Sequence, residues 1–391
     1  MKRIVSIVIA IIYVSTTEIF VYAKPEQEKL SLTAQSAIVM EAKTGKILYE
    51  DNAKQALPPA SVTKVMTMLL IFEAIDSGKI GWNDSVTVSE HAASMGGSQV
   101  FLEVGEVQTV EVMLKSIAIA SGNDAAVAMA EHIAGSERAF VKAMNEKAKK
   151  LGMKQTVFKN CCGLDTDGHV TSAKDIAIMS RELITKHPDV LKYTSIWMDE
   201  FTHKTRKGES VFGLSNTNKL LKQYEGCTGL KTGSTSKAKF CLSATAVRND
   251  ISLIAVVMAS SSSKDRVKDA SALLDYGFAN CKRYEVPNLN KKIKDIPVKY
   301  GEQDLVKIKQ RGTFETILTG NQSSKNITYN IQRKKQLEAP VKKGQHAGWI
   351  TYYYKEDYIG KEELITQNGV KKMTFLKNIQ KIYKQYFISA Q

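Results

Sequence analysis

Ser61 and Lys64 stand at the head of an apolar run, residues 65–75, in the segment Pro58-Pro59-Ala60-Ser61-Val62-Thr63-Lys64. The run predicts a buried helix over 61–76, and a hydroxyl and an amine at i and i+3 share one face of such a helix. The amine can take the hydroxyl's proton and turn a weak nucleophile into a reactive one. Lys64 can do this only when neutral, so burial and a nearby cation must lower its pKa. The pattern points to acyl transfer through a serine ester.

The surrounding periodicity sets the scaffold. Residues 36–40 and 46–50 read as strands joined by a turn through Ala42-Lys43-Thr44-Gly45. Helical patterns follow over 110–120, 124–134, 137–151 and 173–185. Strands return around 229–231, over 240–248 and over 251–259, the last two joined at Asn249-Asp250, before a helix over 264–278. Strands at both ends with helices between imply an α/β (α+β) domain, in which one antiparallel sheet packs on a helical cluster.

The composition changes near Cys281. Short alternating runs at 293–298, 305–308, 314–318 and 349–354 predict a small all-β domain. Over 373–388, Phe375, Leu376, Ile379, Ile382, Tyr383, Tyr386 and Phe387 share one helical arc opposite Lys377, Lys381 and Lys384. At the other end, Lys2 and Arg3 precede an apolar run and Val21-Tyr22-Ala23 offers small residues for cleavage, which reads as an export signal. The 391 residues thus divide as signal 1–23, catalytic domain 24–282, β domain 283–370 and tail 371–391.

Lys and Arg exceed Asp and Glu by 55 − 40 = 15. For an exported protein the natural counterparts are anionic wall polymers and lipid headgroups. No aromatic-plus-basic motif points to nucleic acid. The five cysteines have neither a disulfide framework nor a zinc spacing, their one close pair being vicinal, and read as buried thiols, with a single bridge of unassigned partners as the alternative. The six histidines form no metal spacing. Asp165, Asp167 and His169 lack the late glutamate of a calcium loop and read as a turn-rich loop beside the site.

Ser-x-x-Lys alone means little, since it recurs at Ser234/Lys237 and Ser261/Lys264. Ser-x-Asn occurs at Ser121/Asn123 and Ser324/Asn326, and Lys-Thr-Gly at 43–45 and 231–233. Order and placement choose among them. Ser61/Lys64 opens a helix, Ser121-Gly122-Asn123 breaks two helices, and Lys231-Thr232-Gly233 lies on a strand before Ser234. This ordered triplet resembles the penicillin-binding protein and serine β-lactamase superfamily. The flanks Ser121-Gly122-Asn123-Asp124-Ala125-Ala126 and Gly229-Leu230-Lys231-Thr232-Gly233-Ser234-Thr235 narrow it to the low-molecular-weight D-alanyl-D-alanine carboxypeptidases. So do Asn160-Cys161-Cys162-Gly163-Leu164-Asp165 and Asp265-Arg266. The likeness spans residues 30–280 and extends more loosely to the β domain and tail. Lys43-Thr44-Gly45 is then a hairpin turn, with Gly45 at positive φ.

The resemblance implies a cofactor-free hydrolase that removes the last D-alanine from peptidoglycan stem peptides and is acylated by β-lactams. Ser61 would be the nucleophile, Lys64 its base, and Ser121 the relay to the leaving amine. Asn123 would hold the substrate backbone, and Lys231 would be the cation beside Lys64. The N–H groups of Ser61 and Ser234 would form the oxyanion hole, and Thr232 and Arg266 would read the terminal carboxylate. The tail would tether the enzyme to the outer face of the cytoplasmic membrane. The alternatives are a D,D-endopeptidase, a β-lactamase and a catalytically silent wall-binding protein. A class A β-lactamase would need a glutamate in the loop after Asn160, and 161–169 has none.

Overall fold

A computed structural model describes residues 29–383. The export signal read over 1–23 and the end of the tail, 384–391, lie outside the described residues. Five strands form one antiparallel sheet in the spatial order Ile47–Asp51, Ser36–Glu41, Ile251–Ser260, Lys239–Arg248, Cys227–Thr235. The first and last segments of the catalytic region thus pair, as the sequence implies. Asn249 and Asp250 both take positive φ (49° and 60°) in the two-residue turn between the last two strands, which matches the twist of the hairpin. Gly45, at φ 74°, closes the first hairpin, where the Glu41 carboxylate accepts from the Lys43 and Thr44 amides.

The central strand Ile251–Ser260 is buried on both faces. Its odd face meets the helix Ser263–Ala279, whose Gly277 lies against Leu253 and Val39. Its even face, with Ile254, Val256 and Met258, joins Ile38 and Met40 in the core shared with the helical cluster. That cluster holds the helices Lys64–Asp76, Val110–Ala118, Asn123–Ala134, Glu137–Lys150 and Ala173–Lys186. Ser180 and Ser243 hydrogen-bond across the same face at 2.8 Å. Lys231 pairs in register with Ser243, so its side chain also projects toward the helices.

One hairpin has no counterpart in the sequence reading. Met198–Thr205 pairs with Gly208–Ser215, and a buried contact between His203 Nδ1 and Glu106 Oε1 (2.9 Å) pins it to the domain. It delivers Asn216, Thr217 and Asn218 to the edge of the sheet.

Beyond the catalytic region, strands from Cys281–Glu285 to Asp357–Thr366 enclose a second apolar core around Ile296, Val306, Ile350, Tyr352 and Leu364. The strand Glu315–Thr319 reaches back to the first hairpin. Glu315 pairs with Lys43 and, at 2.6 Å, with Arg283, which hold its carboxyl down to about 2. The chain then forms the helix Phe375–Tyr383, with Phe375, Leu376 and Ile379 exposed. Lys377 pairs with Glu302 at 2.7 Å. Among the described residues, no helix is long and apolar enough to cross a membrane.

Candidate active site

Ser61 sits in a short 3-10 turn, Ala60–Thr63, that runs directly into the helix from Lys64. The helical region read from Ser61 is present, but its first turn is tight, with the Val62 and Lys64 N–H groups bonding three residues back to the Pro59 and Ser61 carbonyls. Residues at i and i+3 eclipse in such a turn, so the pair stays in contact. Lys64 Nζ lies 3.1 Å from Ser61 Oγ. Ser61 is half-buried, while Lys64 is wholly buried.

The Lys64 nitrogen has two further partners, Asn123 Oδ1 at 2.5 Å and the Cys162 carbonyl at 2.9 Å. A neutral amine has two N–H donors and one lone pair. With the donors spent on Asn123 and Cys162, the lone pair is left facing the Ser61 hydroxyl. Burial pushes the Lys64 pKa down, against smaller opposing effects of Cys162, Cys161 and Asp124. Lys231 is also wholly buried, and burial together with the charges of Lys64 and Arg266 pushes it well below its ordinary value. At both lysines burial is the largest cause. Two buried ammonium groups whose charges repel disfavour being protonated together.

Asn123 uses both ends of its amide internally. Oδ1 takes the Lys64 bond, and Nδ2 donates to the Gly96 carbonyl at 2.6 Å. Asn123, which the sequence reading expects to hold the substrate backbone, thus also bonds Lys64. Ser121 is buried with a hydroxyl that has no protein partner, in a left-handed backbone conformation (φ 63°). Ala60, just before Ser61, shares that conformation at φ 48°. Such conformations are costly outside glycine and cluster at functional sites.

On the facing strand, Thr232 Oγ1 bonds Thr217 Oγ1 at 2.6 Å, while Ser234 is exposed. Gly233 is the point of closest approach: a Cβ there would lie 2.8 Å from the Ser61 nitrogen and 2.9 Å from the Pro59 carbonyl. Only glycine lets this strand meet the Ser61 turn so closely. Arg266 is buried in the first turn of its helix, with Nη1 3.3 Å from the Gly233 carbonyl and Nε unpartnered.

The sequence reading missed three contributors. Thr217 arrives on the unforeseen hairpin and carries no local signal. The Cys162 carbonyl is backbone and therefore silent in sequence. His169 is buried beneath the nucleophile's turn, with Nε2 3.0 Å from Thr63 Oγ1 and Nδ1 accepting from the Lys159 amide at 3.2 Å. Asp165 and Asp167 tie the same segment to the strand end, at Thr235 (2.7 Å) and Lys237 (3.3 Å). All five cysteines are free thiols.

Burial lowers the His169 pKa from 6.5 to about 4. Between those values the unfolded chain binds a proton that the folded chain does not, so stability rises with pH across this window and is lost on acidification. The loss is about 3 kcal/mol. The melting temperature should therefore fall more between pH 6.5 and pH 4.5 for the unaltered protein than for His169→Gln. Equal falls would remove His169 from the account.

Two strands of comparison agree with this architecture. A family profile described as D-alanyl-D-alanine carboxypeptidase matches residues 22–262, and one for the C-terminal domain of penicillin-binding protein 5 matches 284–372. D-alanyl-D-alanine carboxypeptidase DacF of Bacillus subtilis is 42% identical over 383 residues, covering 96% of this chain and 97% of its own. Penicillin-binding protein 5 of Haemophilus influenzae superposes with a TM-score of 0.70 at 32% identity, over 88% of this chain and 99% of its own. Penicillin-binding protein D2 of Listeria monocytogenes, solved in its ampicillin-bound form, does so at 0.56 and 34%, over 64% and 99%. The fold and the serine–lysine pair define an acyl-transferring serine hydrolase. The chain belongs to the D-alanyl-D-alanine carboxypeptidase family, among the low-molecular-weight penicillin-binding proteins, and is a serine-type carboxypeptidase.

Proposed function

We propose that the enzyme removes the terminal D-alanine of peptidoglycan pentapeptide stems through an ester on Ser61. The observation that carries this reading is the contact between a wholly buried Lys64 amine and the Ser61 hydroxyl at 3.1 Å. Lys64 takes the Ser61 proton as Oγ bonds the carbonyl carbon of the penultimate D-alanine. The oxyanion is held by the N–H groups of Ser61 and Ser234, the largest expected electrostatic contribution. The bond to the last D-alanine breaks, and its nitrogen takes a proton relayed by Ser121, whose free hydroxyl supports that role. Water then cleaves the ester by the reverse proton path.

Asn123 holds the substrate backbone and also braces Lys64. Lys231 supplies positive charge to the cleft, and Thr232 and Arg266 recognise the terminal carboxylate. The position of the Arg266 guanidinium against the Gly233 carbonyl supports that assignment. A β-lactam follows the same first step, but its leaving nitrogen remains tethered by the opened ring. Mass spectrometry after penicillin treatment should find the adduct on Ser61, and pentapeptide ending in D-Ala-D-Ala should release free D-alanine. An adduct elsewhere sinks the mechanism, and cleavage of cross-linked dimers alone would make the protein an endopeptidase.

The working boundaries are a catalytic domain over 24–282, a β domain over 283–370 that lifts it from a surface, and a tail over 371–391. The enzyme acts outside the cytoplasm, exported by residues 1–23. The tail lies on the outer face of the cytoplasmic membrane, which the exposed Phe375, Leu376 and Ile379 support. Deleting 371–391 should release the protein from membranes, and unchanged association would end the anchor reading.

A further inference from the structure

We propose that Cys161, Cys162 and Glu137 form a binding site for a thiophilic divalent cation of the zinc type, set against the backbone that orients Lys64. Among the described residues, this is the only group of three His, Cys, Asp or Glu donor atoms lying within 4.8 Å of one another. The vicinal spacing carries no zinc pattern, because the third donor comes from the helix Glu137–Lys150. Glu137 Oε1 already accepts from the Cys161 amide at 3.1 Å, which fixes the carboxylate over the pair.

The sulfur geometry supports a metal. Cys161 Sγ and Cys162 Sγ lie 3.7 Å apart. Two thiolates about 2.3 Å from a tetrahedral zinc ion stand about 3.8 Å from each other. The thiols therefore hold the chelating separation without side-chain rearrangement. Both cysteines are buried, whereas Glu137 is partly exposed and His91, with Nε2 2.9 Å from Glu137 Oε2, is half-exposed. Solvent thus reaches the cluster from the Glu137 side, where water completes the fourth position.

The charge balances. A divalent cation displaces two thiol protons, and the group of two thiolates, one carboxylate and one cation keeps the single negative charge that Glu137 carried alone. Lys64 and Lys231 therefore meet no added positive charge. A zinc site with one anionic ligand or none would set a net cation beside two buried amines.

The dipeptide is part of the wall of the serine–lysine site. Its Cys162 carbonyl accepts from Lys64 Nζ at 2.9 Å, its Cys161 carbonyl accepts from Thr67 Oγ1 at 2.7 Å, and Cys162 Sγ lies 3.5 Å from the Asn123 carbonyl. Zinc binding removes the Cys162 proton that the Asn123 carbonyl accepts and leaves a thiolate facing that oxygen, which shifts the residue whose Oδ1 holds Lys64, so the loaded protein acylates more slowly. This consequence rests on the role given to Lys64 above, while the site itself does not.

The test uses the full chain, reduced and stripped of metal, with zinc ion alone as the probe. X-ray absorption at one equivalent should show two sulfur scatterers at about 2.3 Å, the rest nitrogen or oxygen. Cys161→Ser and Glu137→Gln should each weaken zinc binding at least tenfold. Zinc should slow penicillin acylation at least tenfold in the unaltered protein and leave the Cys161→Ser protein indifferent. A zinc shell without sulfur, or undiminished binding by Cys161→Ser, overturns the site, and acylation unaffected by bound zinc overturns the coupling. The absorption measurement needs no variant, so misfolded variants do not remove it. Failure of the serine mechanism would appear separately, as metal-free protein that penicillin does not acylate.

Discussion

Lys64→Arg is expected to lower the acylation of Ser61 by penicillin about ten-thousandfold, the upper range for loss of a general base. The replacement keeps a positive charge and a hydrogen-bonding head, so a merely electrostatic role would survive it. A guanidinium cannot give up its proton in a protein, so no lone pair faces Ser61 Oγ. The same replacement at Lys231 should cost far less. Burial disfavours the charge of both lysines, and the Lys64 charge disfavours that of Lys231 further. A permanent charge at position 231 leaves Lys64 as the neutral member, which is the state catalysis needs. Second-order acylation rates with a fluorescent penicillin at neutral pH compare the two. If Lys64→Arg stays within tenfold of the unaltered enzyme, or if Lys231→Arg is the more damaged, Lys64 is not the base.

How far the site was legible in sequence follows from what kind of group each part is. Ser61, Lys64, Ser121 and Lys231 are side chains in short ordered motifs, and an apolar helix or strand beside each motif fixed its setting. The sheet was legible because strands over 36–50 and 240–260 carry long apolar runs with turn residues between them. The hairpin Met198–Gly208 onward was not, because Met198, Asp199 and Glu200 alternate with too little apolar character, and its anchor is the polar His203–Glu106 contact. Cys162 lies in the quoted Asn160–Asp165 motif, but nothing in that motif records that its backbone carbonyl meets Lys64. The type and position of Asn123 suit a holder of substrate backbone, while its bonds to Lys64 and to the Gly96 carbonyl are legible only in coordinates. His169 looked like loop punctuation, since nothing in Asp165–His169 records that the chain turns inward under Thr63.

Gly163→Ala is expected to cost about 3 kcal/mol of stability or more, and to lower acylation at least a hundredfold. Gly163 holds φ 88°, and a Cβ built there would lie 1.8 Å from the Ala60 carbonyl oxygen and 2.9 Å from the Ser61 nitrogen. Both obstacles are backbone, so no side chain can swing aside. The chain must move either the Ala60–Ser61 peptide, whose nitrogen is a proposed oxyanion donor, or the segment whose Cys162 carbonyl aims Lys64. Either movement strikes catalysis as well as folding. Gly168→Ala in the same loop is the control. Its φ is 77°, yet its Cβ would meet only the far end of the Lys159 side chain at 3.3 Å, so it should cost about 1 kcal/mol from the left-handed backbone alone. Denaturant unfolding and penicillin labelling of the two variants separate close approach from ordinary glycine strain. Equal stability and equal labelling in the pair would mean that the loop yields without disturbing Ser61, and that the tight seam between Gly163 and the nucleophile's turn carries no catalytic consequence.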